Sequence, residues 1–338
     1  MQPITLDSIS KNSLQIFHQL RWNNQICCPE CGSTHIYNPN PDQLHICADC
    51  HTRFSDTSGT IFHSTKLPLS KWLYAIYLFL TSTRGISSYA LARYIQVSQT
   101  TAWSMLMRLR TCLHQDIKFD ATDQVAIDEV YIGANWKYKP AFKKFKESTP
   151  PPAHWNLNPK DTKAYYKKQF MELASQDKMC ALGLVSLRDP KISLIYIPIS
   201  NRLEFIQGQI RYHLGPILSK MFVKSPMTVV TDQSKLYNFL DEIKDHNNRC
   251  KFDHQVCRHD ESKFASPDGY SSNKLEAAFS HIKRSWRGVY TRWTRKYCQL
   301  YLDEFCYRYN HPLSSKTVIA DRIKDFFRCV DPRSWCIL

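Results

Sequence analysis

Three acidic residues far apart in the chain, Asp128, Asp232 and Glu276, stand where metal-dependent phosphoryl chemistry would need them. Asp128 lies in Gln124-Val-Ala-Ile-Asp-Glu-Val-Tyr-Ile-Gly133, an apolar strand pattern broken by charge. Asp232 closes Met227-Thr-Val-Val-Thr-Asp232, a β-branched run that stops on a carboxylate. Glu276 opens a helix-patterned stretch from Asn273 to Arg287. Carboxylates at strand ends are costly to desolvate unless something neutralises them, and a divalent cation does so well. Three such groups from separate elements can hold two Mg²⁺ (or Mn²⁺) ions against a phosphodiester.

The elements that must position these acids follow from periodicity. In a helix starting near Asn273, Leu275, Phe279, Ile282 and Trp286 form a buried stripe. Glu276, Ser280, Lys283 and Arg287 form a second stripe rotated by roughly 100°. Glu276 then sits at the margin of the core, and Lys283, two turns on, could reach a phosphate. Asn273 is the alternative third ligand. Glu129 competes with Asp128, because side chains alternate along a strand and only one of the pair faces the site. The sequence leaves that choice open. His254 and His259 read as structural.

The region 124–257 carries five strand candidates. They are 124–133, Cys180–Leu187, Ile192–Ile199, the run ending at Asp232, and Cys250–Cys257, with a turn at Asp189-Pro190. Helix candidates at 202–219 and from Ser234 to about Lys244 fall between them. The order describes an α/β layer architecture. A Lys- and Pro-rich stretch at about 137–170 reads as a solvated insertion.

Cys28-Pro-Glu-Cys31 and Cys47-Ala-Asp-Cys50 are two knuckles fifteen residues apart, the spacing of a four-thiolate structural zinc site. Cys27 is a spare, and His35, His45 and His51 read as surface or packing histidines. Leu73–Leu80 is too short an apolar run for a bilayer and reads as a buried helix. Gly85–Tyr94 and Thr100–Arg110, joined by a turn with Ser98 as N-cap, make a helix-turn-helix candidate. Ala102, Leu106 and Leu109 would pack inward. Gln99, Thr100, Ser104 and Arg108 would face DNA.

The net charge of +15 over 338 residues favours a polyanionic partner. The first residues lack the basic start and apolar run of an export signal, and the thirteen cysteines read as reduced thiols plus a metal site. A cytoplasmic, nucleoid-associated prokaryotic protein with no membrane segment is expected.

Together these residues resemble the insertion-sequence transposases of the IS1595 (ISXO2-like) group. The resemblance covers the ribbon, the segment Ile86–Arg110, Asp128-Glu-Val-Tyr-Ile-Gly133, Thr231-Asp232 through Tyr237, Asn273-Lys-Leu-Glu276 with Lys283, and Tyr301-Leu-Asp-Glu-Phe-Cys-Tyr-Arg-Tyr-Asn310. It implies a DDE-type catalytic domain of ribonuclease H-like fold behind a zinc ribbon and a helix-turn-helix-like segment. It also implies cleavage at element ends and strand transfer into target DNA. Asp128 and Asp232 match the family's first two acids, and Glu276, with six residues between it and Lys283, the third. Gln233 stands where the family has Gly. The expected divisions are a ribbon at 1–65, a helical DNA-binding segment at 66–118, a catalytic domain at 119–310 and a helical tail at 311–338. Expected partners are the terminal inverted repeats, target DNA and at least a second copy of the chain. The alternatives are a catalytically decayed DNA-binding regulator and a ribonuclease H-like nuclease without strand transfer.

Overall fold

The structure is a computed structural model. It describes residues 6–22, 25–40, 44–115, 117–119, 123–133, 179–198, 227–232, 235–244, 250–257, 273–290, 293–314 and 318–329, with 158, 160–162, 165, 212, 215 and 218 besides. Most of the 137–170 insertion and of the 202–219 helix candidate, together with Gln233 and His259, lies outside the described residues. The chain forms two compact units. One is Met1–Gln115 with Arg287–Arg292 and Asp303–Leu338; the other is Asp116–Trp286 with Trp293–Leu302.

The first unit holds α1 (Leu6–Trp22), a small ribbon sheet of β1 (Ile36–Tyr37), β2 (His45–Cys47) and β3 (Arg53–Phe54), then α2 (Leu69–Thr81), α3 (Ser88–Ile95) and α4 (Gln99–Thr111). Its core is built on α2, whose Trp72, Leu73, Ala75, Ile76, Phe79 and Leu80 are buried, as the apolar run predicts. α1 was not foreseen. Its buried Ile9, Phe17 and Leu20 pack into the same core, but a non-helical Asn12 (φ −130°, ψ 34°) breaks the helix and so blurs its periodicity. Ser87 and Ser98 cap α3 and α4 by accepting from Ala90 N and Thr101 N, and Gln96 closes α3 in the left-handed region (φ 52°).

The two C-terminal helices among the described residues are α6 (Cys298–Asn310) and α7 (Ile319–Cys329). The Tyr301–Asn310 motif contributes a buried ion cluster to the first unit. Arg110 Nε donates to Glu304 Oε2 (2.7 Å), while Arg308 Nη2 and Tyr290 Oη donate to Glu304 Oε1 (each 2.6 Å). Arg308 also donates to the carbonyls of Phe79 (2.8 Å) and Ser82. Burial alone would raise the Glu304 pKa, but Arg110 and Arg308 outweigh it and hold the carboxyl below its usual range. Gly85 makes room: it takes φ +87°, and a Cβ there would lie 1.7 Å from the Tyr290 hydroxyl. Removing one partner strands buried charge, so Glu304→Ala should cost about 3–5 kcal/mol. Urea denaturation of the first-unit helices checks this; a loss below about 1 kcal/mol contradicts it.

The second unit is a five-stranded mixed sheet in the order β6-β5-β4-β7-β8. β4 (Gln124–Ile132), β5 (Met179–Ser186) and β6 (Ile192–Ile197) pair antiparallel; β7 (Met227–Thr231) and β8 (Phe252–Val256) add parallel to β4. Val125, Ile127, Leu182, Leu184, Met227 and Val229 fill one face with Tyr237 and Leu240. Those last two sit on a 3₁₀ helix, Lys235–Glu242, where the sequence suggested an α-helix. Tyr237, Leu240 and Ile243 recur every third residue, the spacing that stacks side chains in a 3₁₀ turn.

The helix α5 (Asn273–Gly288) buries Leu275, Phe279, Ile282 and Trp286 as its stripe predicts. It crosses the sheet at Gly183, where a Cβ would meet the Phe279 ring at 2.6 Å and Leu275 at 2.9 Å. Gly183→Val should therefore destabilise the unit by about 1–3 kcal/mol through overpacking. A urea midpoint equal to wild type would contradict that close approach.

Candidate active site

The register of the sheet places the acids. β4 and β7 pair Gln124 with Thr228, Val125 with Val229 and Ala126 with Val230. Continued two residues beyond the last pair, to the residue just past the end of β7, the same register sets Asp128 level with Asp232, whose charge acts on Asp128. β4 and β5 pair Asp128 directly with Gly183, so Asp128 shares a face with the glycine that α5 covers. Ile127 and Glu129 point to the opposite face, where Ile127 joins the apolar core and Glu129 Oε2 accepts from Tyr237 Oη (2.6 Å). Of the two adjacent acids, Asp128 is the one on the α5 face.

Burial raises the Asp128 pKa to about 7, aided by the negative charges of Glu129 and Asp232; its Oδ1 accepts from Glu129 N (2.7 Å), which opposes the rise. Glu276 lies in the first turn of α5, next to the Leu275 that covers Gly183, and is exposed. Asn273, the first residue of α5, is exposed too. Lys283 is exposed seven residues beyond Glu276, about 10 Å along the axis. The sheet thus brings Asp128 and Asp232 side by side, and α5 brings Glu276 to the same face. Lys283 stands two turns away.

A partially protonated acid beside a second carboxylate suits a divalent cation, which would displace the proton and separate the like charges. The raised Asp128 pKa makes the stability of the fold depend on pH. The native state holds a proton on Asp128 that the unfolded chain, at about 3.9, releases. Its contribution therefore favours the fold below about pH 4 and is lost as pH rises through 7. Urea midpoints of the metal-free protein from pH 4.5 to 7.5 should show this slope in wild type but not in Asp128→Asn; equal slopes would contradict it.

A hydrogen-bonded chain that includes His254 runs beside Asp232. His254 Nδ1 lies 3.0 Å from Asp241 Oδ1, His254 Nε2 lies 2.8 Å from Thr231 Oγ1, and the Thr231 hydroxyl donates to the Asp232 carbonyl (3.0 Å). Its only trace in sequence is Thr231 adjacent to Asp232. Partners on β8 and the 3₁₀ helix cannot be paired without the register.

In the first unit, Cys28, Cys31, Cys47 and Cys50 converge, with all four sulfurs within 4.8 Å of one another. Cys28–Cys50 and Cys31–Cys47 sulfurs lie 3.5 and 3.6 Å apart. A tetrahedron with Zn–S bonds of about 2.3 Å needs about 3.8 Å between sulfurs, so the cluster fits structural zinc. Gly32 (φ +75°) and His51 (φ +59°) follow the two knuckles in the same left-handed turn. Cys27 is exposed and outside the cluster. A second group, His18, His45 and Asp56, is also within ligand distance. Asp56 is already engaged: Oδ1 accepts from Trp22 Nε1 (2.6 Å) and lies 2.8 Å from His45 Nε2, and Oδ2 lies 2.8 Å from His18 Nδ1. This hub ties α1 to the ribbon.

On the helix pair, Thr100 and Ser104 are exposed, whereas Gln99 Nε2 donates to Ser88 Oγ (2.8 Å) and Arg108 Nη1 to the Ile61 carbonyl (2.8 Å). Gln99 and Arg108 are half-buried and partly engaged within the fold.

Residues 120–310 match the ISXO2-like transposase domain, more than half of the chain. The chain belongs to this transposase family. Residues 11–53 match the transposase zinc-ribbon domain, which takes in most of α1 and the four cysteines. A relative from Halobacterium salinarum, an uncharacterized protein in transposable element ISH50, is 28% identical over 145 residues. That match covers 40% of this chain and 47% of the relative. Among the described residues of this family member, no helix is long and apolar enough to cross a membrane.

Proposed function

We propose that this chain is a DDE-type DNA transposase in which Asp128, Asp232 and Glu276 hold divalent metal for phosphodiester cleavage and strand transfer. The observation that carries the reading is the register that sets Asp128 level with Asp232 on the face crossed by the helix of Glu276. A sheet with three antiparallel strands, extended from its first strand by two parallel ones, supports a ribonuclease H-like fold. Bound Mg²⁺ or Mn²⁺ would supply Lewis-acid stabilisation of charge on the entering and leaving oxygens.

The chain's own groups do the rest. Asp128 would give up its proton to hold the ion, and Asp232 and Glu276 would complete the negative site. Lys283 can extend its ammonium toward a non-bridging phosphate oxygen; Asn273 is the alternative to Glu276. In cleavage, water attacks the phosphodiester at the element end, a P–O bond forms as the bond to the 3′ oxygen breaks, and a 3′-hydroxyl and a 5′-phosphate are left. That hydroxyl then attacks a target phosphodiester in line, one P–O bond forming as one breaks. The ribbon and helix pair hold the terminal repeats, and pairing two ends calls for at least two copies of the chain.

The test is purified protein with Mg²⁺ and a plasmid bearing the element's own flanking ends, scored for cut ends and joined products. Both are expected. Cutting without joining would make the protein a nuclease, and specific binding without either would make it a regulator.

A further inference from the structure

A cleft of about 380 Å³ opens in the first unit between the exposed side of α4 and the loop Ser64–Leu67. Its floor is apolar, with Trp72 and Met105 buried beneath it. Its walls are cationic and hydroxylated: Ser64, Lys66, Thr100, Ser104 and Arg108 line it, and no carboxylate does among the described residues. The side chains of Ser64, Lys66, Thr100 and Ser104 are exposed and have no hydrogen-bond partner among the described residues. Four solvent-facing polar groups from two separate segments therefore converge on one cleft.

Arg108 is the fixed point. One of its five N–H donors is spent on the Ile61 carbonyl, which immobilises the guanidinium and leaves the others free to turn to a ligand. Ser64 sits at φ +55°, outside the region most residues prefer, and its loop forms the wall facing α4. Two cations, three hydroxyl donors and no acid recognise an oxyanion, and a volume in the range of about 300–1,000 Å³ admits a nucleotide-sized group.

We propose that this cleft is a phosphate clamp for the backbone of double-stranded DNA, using Ser64, Lys66, Thr100, Ser104 and Arg108. The helix pair and the net charge of +15 favour a duplex over a free anion. In the clamp Thr100, Ser104 and Arg108 bind phosphate and not base edges, so it sets the register of the protein on DNA without reading sequence. It rests only on the DNA-binding half of the proposed function and is independent of the acids.

The experiment uses the full chain, two 30-base-pair duplexes of unrelated sequence, and fluorescence anisotropy across a KCl series. Lys66→Gln should lower the magnitude of the log K against log salt slope by about 0.9 on both duplexes, and Lys66→Arg should restore it. Ser104→Ala should weaken both duplexes by the same few-fold factor with the slope unchanged. Three results overturn the clamp: an unchanged slope in Lys66→Gln, a silent Ser104→Ala, or a loss confined to one duplex, which would mean base reading. Inorganic phosphate at matched ionic strength should compete weakly; if it abolishes duplex binding in wild type but not in Ser104→Ala, the site belongs to a free anion. A chain that binds neither duplex sinks the transposase reading as well, whereas binding without the slope change sinks only the clamp.

Discussion

Asp128→Asn and Asp232→Asn should each lower single-turnover cleavage at element ends by about three orders of magnitude or more, with duplex affinity unchanged. Asparagine keeps the shape of the side chain and removes the charge that a divalent cation requires. Groups that act as one unit fail together, so the double variant should be little worse than either single one. Asp128→Asn has a second effect: it removes the buried proton-binding group at about pH 7, so the metal-free protein near neutral pH should be at least as stable as wild type. Loss of activity without loss of stability separates a metal ligand from a packing residue. Glu276→Gln and Asn273→Ala discriminate the third position, and the larger loss identifies the ligand. Retained cleavage in Asp232→Asn would remove the assignment.

Cys47→Ser should leave the protein without stoichiometric zinc and unfold the ribbon. Cys47 and Cys28 are buried with Trp22 and Phe54 in a core of four residues, far too small to fold unaided. Apparent zinc affinities of about 10–16 kcal/mol in small zinc domains show how much of such a fold the metal supplies. Metal analysis should fall from one zinc per chain to none, protease should cut between residues 25 and 55, and duplex affinity should drop. Cys27→Ser is the control and should change nothing, since Cys27 lies outside the cluster. Full zinc occupancy in Cys47→Ser would mean that the four-thiolate assignment is wrong.

Strand and helix patterns carried most of the α/β architecture because alternation and the 3.6-residue stripe survive in linear order. The Leu275–Trp286 stripe, the Ser98 cap and the inward Ala102, Leu106 and Leu109 all stand as the spacing predicts. What was hidden depends on register or on distant partners. The choice between Asp128 and Glu129 follows only from the pairing with Gly183 and the contact with Tyr237. The chain Asp241–His254–Thr231 joins residues from three elements. The Tyr301–Asn310 motif stands out in sequence, yet its Glu304 is explained by Arg110, 194 residues away. α1 escaped because a kink at Asn12 interrupts its period.

The central claim, metal held at these acids against the scissile phosphate, is tested most directly by sulfur substitution. Element-end DNA carrying a phosphorothioate at a metal-facing non-bridging oxygen is cleaved with Mg²⁺ and, separately, with the softer Mn²⁺. The account predicts strong suppression with Mg²⁺ and recovery with Mn²⁺. Equal rates for sulfur and oxygen substrates in both metals, for each of the two diastereomers, would contradict it.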